Sequence, residues 1–158
     1  MNYIANIKNG WIYFNIPVVK RTDKGLKKNI SFKLSYIENI FELINVCNVY
    51  YNNDFSAYQF DCEDDYINII LYKYHQNKDD VIFTIDDGYF NAYICMDNTK
   101  TFIKKIYDDI VSNIDELISM YLFNFKEDED KSAYIEEFNK TKEYILKKLK
   151  ELSYLSNI

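Results

Sequence analysis

Residues 55–96 read FSAYQFDCEDDYINIILYKYHQNKDDVIFTIDDGYFNAYICM, and this region contains most of the predicted sheet. Four runs rich in aromatic and β-branched residues alternate there with the acidic or polar breaks DCEDD, HQNKDD and DDG. Runs of this kind, separated by short polar breaks, are typical of antiparallel strands joined by turns. The stretch therefore predicts a four-stranded antiparallel meander.

The residues before the meander predict a hairpin, a strand and a helix. Asn9-Gly10 separates NYIANI from WIYFNIPVV, and Asn-Gly between two β-prone runs favours a type I′ turn. A third short strand, ISFKL, follows a basic stretch. Ser35 and Glu38 then have the spacing of a capping box, which predicts a helix over 36–47.

The residues after the meander predict two amphipathic helices. Apolar residues recur at helical spacing over 99–122 and again over 132–152, with the charged break KEDEDK between them. The first helix is expected to cover the sheet, whereas the second, 132–152, either packs on the protein or lies at its periphery. The predicted fold class is α+β, an antiparallel sheet packed against amphipathic helices.

Length and composition limit the class of protein. A chain of 158 residues that is 48% hydrophobic and contains only 3 Gly and 1 Pro predicts one folded domain, 1–158, rather than a disordered or multidomain chain. Cys47, Cys62 and Cys95 form no CxxC pair and are odd in number, which favours a reducing compartment. With neither a signal peptide nor a stretch of about 20 apolar residues, the expected location is the cytoplasm, away from membranes.

Charge is segregated along the chain. The net charge is −6, yet residues 1–33 carry 7 basic and 1 acidic residues, whereas residues 34–99 carry 2 basic and 12 acidic residues. The overall balance argues against direct binding of nucleic acid, because phosphate backbones are negatively charged. The basic stretch 20–28 lacks interleaved aromatic residues, so a solvated loop is a simpler interpretation than a nucleic-acid contact.

Strand alternation divides the predicted sheet into two faces. One face is apolar and is expected to form the core: Ile12, Phe14, Ile16, Ile67, Ile69, Leu71, Val81, Phe83, Ile85, Phe90, Ala92 and Ile94. The other face is rich in tyrosine and includes Tyr66, Tyr72, Tyr89 and Tyr93. These tyrosines either pair across strands beneath a partial helix cover or form a surface that binds another protein, since Tyr is enriched at interfaces.

Acidic residues are concentrated in two of the predicted turns. Alternate turns of a meander lie at the same end of the sheet, so the first and third turns should share one edge. Like charges gathered there either are solvated turn residues or steer a basic partner towards the neighbouring tyrosines. The residues concerned are Asp61, Glu63, Asp64, Asp65, Asp86 and Asp87.

Signals for catalysis are weak. The single histidine, His75, ends a predicted strand without a nucleophile motif, and the glycines form neither a phosphate-binding loop nor a dinucleotide fingerprint. The six turn carboxylates could in principle hold Mg²⁺ or Ca²⁺, but DCEDD lacks the spacing of an EF-hand loop. We therefore expect no catalytic residue, no metal and no cofactor, and keep a metal-dependent hydrolase as an alternative.

Three segments together resemble a known class of proteins. The hairpin strand WIYFNIPVV, the acidic meander from DCEDDYINIILYKY to DDGYFNAYICM and the helix TKTFIKKIYDDI are similar to those of immunity proteins of bacterial polymorphic and contact-dependent toxin systems. The resemblance implies a non-enzymatic inhibitor that binds a cognate toxin, often a basic nuclease, and blocks its active site. Phage-encoded inhibitors of nucleic-acid-directed defence proteins have the same physical character and are an alternative.

The sequence thus predicts an acidic protein that binds a partner with a basic surface. The six turn carboxylates would face the partner, and the four tyrosines Tyr66, Tyr72, Tyr89 and Tyr93 would be the neighbouring anchors. A structural or oligomeric subunit, in which the two C-terminal helices pair with another copy, is a further alternative.

Overall fold

The protein has an α+β fold, described by a computed structural model over residues 2–20, 27–63, 66–74, 77–85, 91–122 and 131–156. Within these ranges lie seven antiparallel strands and four helices. In chain order they are β1 Ile4–Lys8, β2 Trp11–Lys20, β3 Lys27–Leu34, α1 Ile37–Asn53, β4 Phe55–Asp61, β5 Tyr66–Tyr74, β6 Asn77–Ile85, β7 Asn91–Asn98, α2 Thr99–Ser112, α3 Ile114–Tyr121 and α4 Lys131–Ser156.

The predicted N-terminal hairpin is confirmed. β1 and β2 pair up to Lys8 and Trp11, with Asn9 and Gly10 between them. Both turn residues have positive φ, 53° and 79° respectively, as a type I′ turn requires. This turn fixes the register in which Ile7 lies opposite Ile12.

The predicted meander is also confirmed, and its last strand, β7, joins it to β2 of the N-terminal hairpin. β4, β5, β6 and β7 are neighbours in the order of the chain, and β7 then pairs with the end of β2 through Val18 and Cys95. β3 pairs along β2 from Ile12 to Val19. Since a strand has two edges, β1 and β7 share the other edge of β2, β1 at its beginning and β7 at its end.

The helices cover one face of this sheet. Buried side chains of β2, β3, β5 and β6 form a hydrophobic core with those of all four helices. α1 and α2 contact strands directly, whereas α4 lies against α1, α2 and α3. The C-terminal half of α4 is anchored by the fully buried side chains of Ile145, Leu149 and Leu152, so this helix packs on the other helices.

Three details of the predicted helices are wrong. α1 continues to Asn53, beyond the predicted end at residue 47. Ser35 does not cap α1, because its hydroxyl accepts the Glu63 N–H, and Tyr36 occupies the N-cap position without a side-chain cap bond. The predicted helix 99–122 is two helices, which meet at Asn113. The Asn113 side-chain amide donates to the Asp109 carbonyl, which also accepts the regular helical bond from the Asn113 N–H, and such a side-chain bond competes with helix continuation.

Candidate protein-binding surface

The topology brings the first and third turns of the meander to the same end of the sheet. Asp61 lies opposite Tyr66 where β4 meets β5, and Ile85, the last residue of β6, lies opposite both Ile69 and Asn91. Asp64, Asp65, Asp86, Asp87 and Tyr89 lie outside the described residues. The described part of the predicted acidic edge is therefore Asp61 and Glu63, which we call the acidic rim.

The backbone of the acidic rim is held by the segment between β3 and α1. The Glu63 N–H donates to the Ser35 hydroxyl at 2.9 Å, and the Asn39 side-chain amide donates to the Asp61 carbonyl at 3.1 Å. Cys62, between the two acidic residues, is buried and its Sγ lies 3.8 Å from the Lys33 carbonyl. These bonds join the C-terminal ends of β3 and β4, while both carboxylate side chains remain exposed.

Cys62 contributes to this arrangement as a neutral, packed thiol. Burial raises the pKa of Cys62, although hydrogen bonds from Ser35 and Asn39 act in the opposite direction. A thiol with a raised pKa is a poor nucleophile, because the thiolate is the reactive form. The geometry is thus that of an anchored loop with two outward-facing carboxylates.

Removing the Ser35 hydroxyl should loosen the acidic rim. In Ser35→Ala the Glu63 N–H loses its acceptor, so we expect a stability loss of about 1 kcal/mol, the usual net contribution of one hydrogen bond. Amide hydrogen exchange at Glu63 should accelerate in the variant, whereas the amides of the hairpin β1–β2 should exchange as before. Unchanged protection at Glu63 would contradict the assigned role of Ser35.

The predicted tyrosine anchors occupy different environments. Tyr66 is 59% exposed and lies directly beside the acidic rim. Tyr72 is half-buried on the same face of β5 but six residues further along, about 20 Å away at about 3.3 Å per residue. The strand therefore places Tyr66, and not Tyr72, next to the acidic rim.

Tyr93 lies on the face opposite to that predicted. It pairs with Phe83 and is 5% exposed, with Lys28 above its ring. The pairing of Cys95 with the core residue Val18 sets the register of β7, so odd-numbered residues face the helices and Ala92 and Ile94 lie on the other face. Tyr93 is a core residue, since its largely apolar ring is buried, and is inaccessible to a partner.

One exposed aromatic residue was missed by the sequence analysis. Phe55 is 53% exposed at the beginning of β4 and lies opposite Tyr72, on the face that the helices leave uncovered. The signal that could have found it is the register, because a four-residue connection between β4 and β5 places Phe55 and Tyr72 across from each other. Phe55 and Tyr72 therefore form a second aromatic site at the opposite end of the strand pair from Tyr66.

A metal site was the alternative that the sequence left open for the turn carboxylates. Within the described ranges, no three side chains of His, Cys, Asp or Glu are grouped so that they could hold a metal ion. His75 and most of the basic stretch 20–28 lie outside these ranges. Among the helices the structure describes, none has the length and apolar character needed to cross a membrane.

The chain was compared with known protein families, curated proteins and solved structures. None of them matches it.

Proposed function

We propose that the protein is a non-enzymatic inhibitor that binds a partner with a basic surface, as immunity proteins do when they neutralise a toxin. The acidic rim would meet cationic groups of the partner, which in a nuclease surround the active site. Tyr66 would supply the adjacent apolar contact and a hydroxyl, the combination for which Tyr is enriched at interfaces.

The observation that carries the proposal is the anchoring of the acidic rim. Two adjacent carboxylates on a freely moving loop would lose conformational entropy on binding, which reduces affinity. Here, Ser35 and Asn39 fix the backbone on either side of Cys62 before any partner arrives. A preorganised acidic site beside an exposed tyrosine is suited to electrostatic capture of a basic protein.

The proposal places the protein in the cytoplasm, where a toxin directed at nucleic acid would act. The three cysteines are buried and free of disulfides, which is compatible with a reducing compartment. In this setting the inhibitor needs no cofactor or metal.

The test is protection of growing cells. The gene next to the one encoding this chain is expressed in a bacterial host, alone or together with the chain. We expect the neighbouring product to stop growth alone, and the chain to restore growth while forming a stoichiometric complex with it. A toxic neighbour that neither binds the chain nor is neutralised by it would contradict the proposal.

A further inference from the structure

Two outer strands of the sheet, β3 and β4, differ in how they are protected against pairing with another strand. β3 contains the exposed residues Lys28 and Lys33, and lysines on an edge strand oppose the addition of a further strand. β4, with the sequence FSAYQFD, contains neither lysine nor proline. Its seven residues pair with β5 without a bulge, so its backbone has no irregularity that would prevent a further strand from pairing with its outer edge.

The outer edge of β4 is also accessible. In the described part of the chain, β5 is the one strand that pairs with β4. Phe55, Ala57 and Gln59 are exposed on the face away from the helices, and Tyr58, on the face towards α1, is still 37% exposed. An exposed antiparallel edge presents unpaired N–H and C=O groups at alternate residues, the template used when a peptide adds a strand to a sheet.

Carboxylates lie at one end and in the middle of this edge. Asp61 and Glu63 are at one end, and Glu42 of α1 lies within hydrogen-bonding reach of the Tyr58 hydroxyl in the middle. At the other end Asp54 is paired with Lys73 at 2.7 Å, so this end contributes no net charge. A second copy of this acidic chain would bring like charges together, so the electrostatic field favours a basic occupant.

We propose that the outer edge of β4 binds an extended segment of another protein, rich in lysine or arginine, as an additional antiparallel strand. The inference rests on the proposed function and states how the basic partner docks: main-chain hydrogen bonds to residues 55–61 give affinity, and the flanking carboxylates select for positive charge. Phe55 and Tyr58 flank the added strand and contact its side chains.

The probe is a synthetic octapeptide in which lysine alternates with valine. Titrated into the labelled protein and followed by NMR, it should shift the amide resonances of β4 and slow their hydrogen exchange. Two control peptides separate the contribution of main-chain hydrogen bonds to the affinity from that of positive charge. Methylation of two adjacent central nitrogens removes a donor from each edge of the peptide and should weaken binding about tenfold. Replacement of every lysine by glutamate should weaken it by at least about tenfold as well.

Matched variants of the protein locate the site. Ala57→Lys with Gln59→Lys places on β4 the charges that protect β3, and should weaken binding of the lysine peptide about tenfold. The control, Asn29→Lys with Ser31→Lys, adds the same charge to exposed positions of β3 and should change the affinity less than about twofold. Circular dichroism and the melting temperature of each variant establish that it is folded.

The outcomes separate this inference from the proposed function. Equal affinity of the methylated and unmethylated peptides, resonance shifts confined to the face carrying Tyr66 and Tyr72, or absence of binding would overturn strand addition at β4. The growth test would still decide whether the chain is an inhibitor. If the chain protects cells while the β4 variant protects equally well, the inhibitor proposal stands and strand addition fails.

Discussion

Replacing Asp109 by alanine should cost about 2–4 kcal/mol of folding stability, because two buried backbone donors lose their acceptor together. Asp109 lies on α2 and is 2% exposed, and its Oδ2 accepts the N–H groups of Tyr3 at 2.5 Å and Ile4 at 2.9 Å. These bonds connect residues more than 100 positions apart and hold the first strand on the helix layer. Urea unfolding with an unchanged m-value would measure the loss.

The matched control for this prediction is Asp109→Asn. Both backbone donors converge on one carboxylate oxygen, so the single carbonyl oxygen of asparagine can accept both bonds. We therefore expect this variant to keep most of the stability that alanine loses. Equal losses in the two variants would show that the charge of Asp109, rather than its acceptor oxygen, holds the first strand.

The asparagine variant also isolates a dependence on pH. Burial raises the pKa of Asp109, although the bonds from Ile4 and Tyr3 act to lower it. The folded protein then binds more protons than the unfolded chain from about pH 3.9, the ordinary Asp value, up to the raised pKa, so the contribution of Asp109 to stability falls as pH rises through that window. The free energy of unfolding of the wild type, relative to that of Asp109→Asn, should therefore decrease across this pH interval and be independent of pH above it.

Local sequence signals predicted the elements of the fold well. The type I′ turn requires two residues with positive φ, so Asn9-Gly10 specifies the hairpin. The four strands of the meander were predicted, but the break HQNKDD is shorter than expected, because its residues 77–80 belong to β6. Such signals act within a few residues. They also predicted that β4 and β6 end on the same side of the sheet, because the rule that alternate strands of a meander run in one direction needs no knowledge of side-chain packing.

Features set by distant contacts were not predictable. Ser35 could cap the adjacent helix or bond to Glu63, which is 28 residues away in sequence, and only the meeting of β3 and β4 decides between these partners. The face on which Tyr93 lies depends in the same way on the pairing of Val18 with Cys95. Tyrosine hydropathy does not distinguish the two faces, since its ring suits a core and its hydroxyl suits a surface.

The candidate surface was accordingly predicted in part. The positions of Asp61 and Tyr66 next to each other follow from a short turn between paired strands. Tyr72 is far from the acidic rim because it lies six residues after Tyr66 along β5. This distance can be read from the sequence, but the prediction grouped all tyrosines of one face together and did not consider it. Phe55 was correctly placed at the start of a strand, but the division of the sheet into two faces did not include that strand.

Reversing the charge of the acidic rim should slow association with the basic partner by about tenfold or more at low salt. In the variant with Asp61→Lys and Glu63→Lys, two exposed carboxylates that attract cationic groups become two ammonium groups that repel them. Long-range attraction acts before contact is made, so the dissociation rate should change much less than the association rate.

Stopped-flow association with the neighbouring gene product, measured over a range of salt concentrations, checks this result. The wild-type rate should fall steeply as salt is added, whereas the rate of the rim variant should depend on salt weakly, because screening removes an attraction that it no longer has. The control, Glu116→Lys with Glu136→Lys, makes the same change of charge at exposed positions of α3 and α4. If both double variants associate equally fast, net charge rather than the acidic rim steers the partner, and the site assigned to Asp61 and Glu63 is wrong.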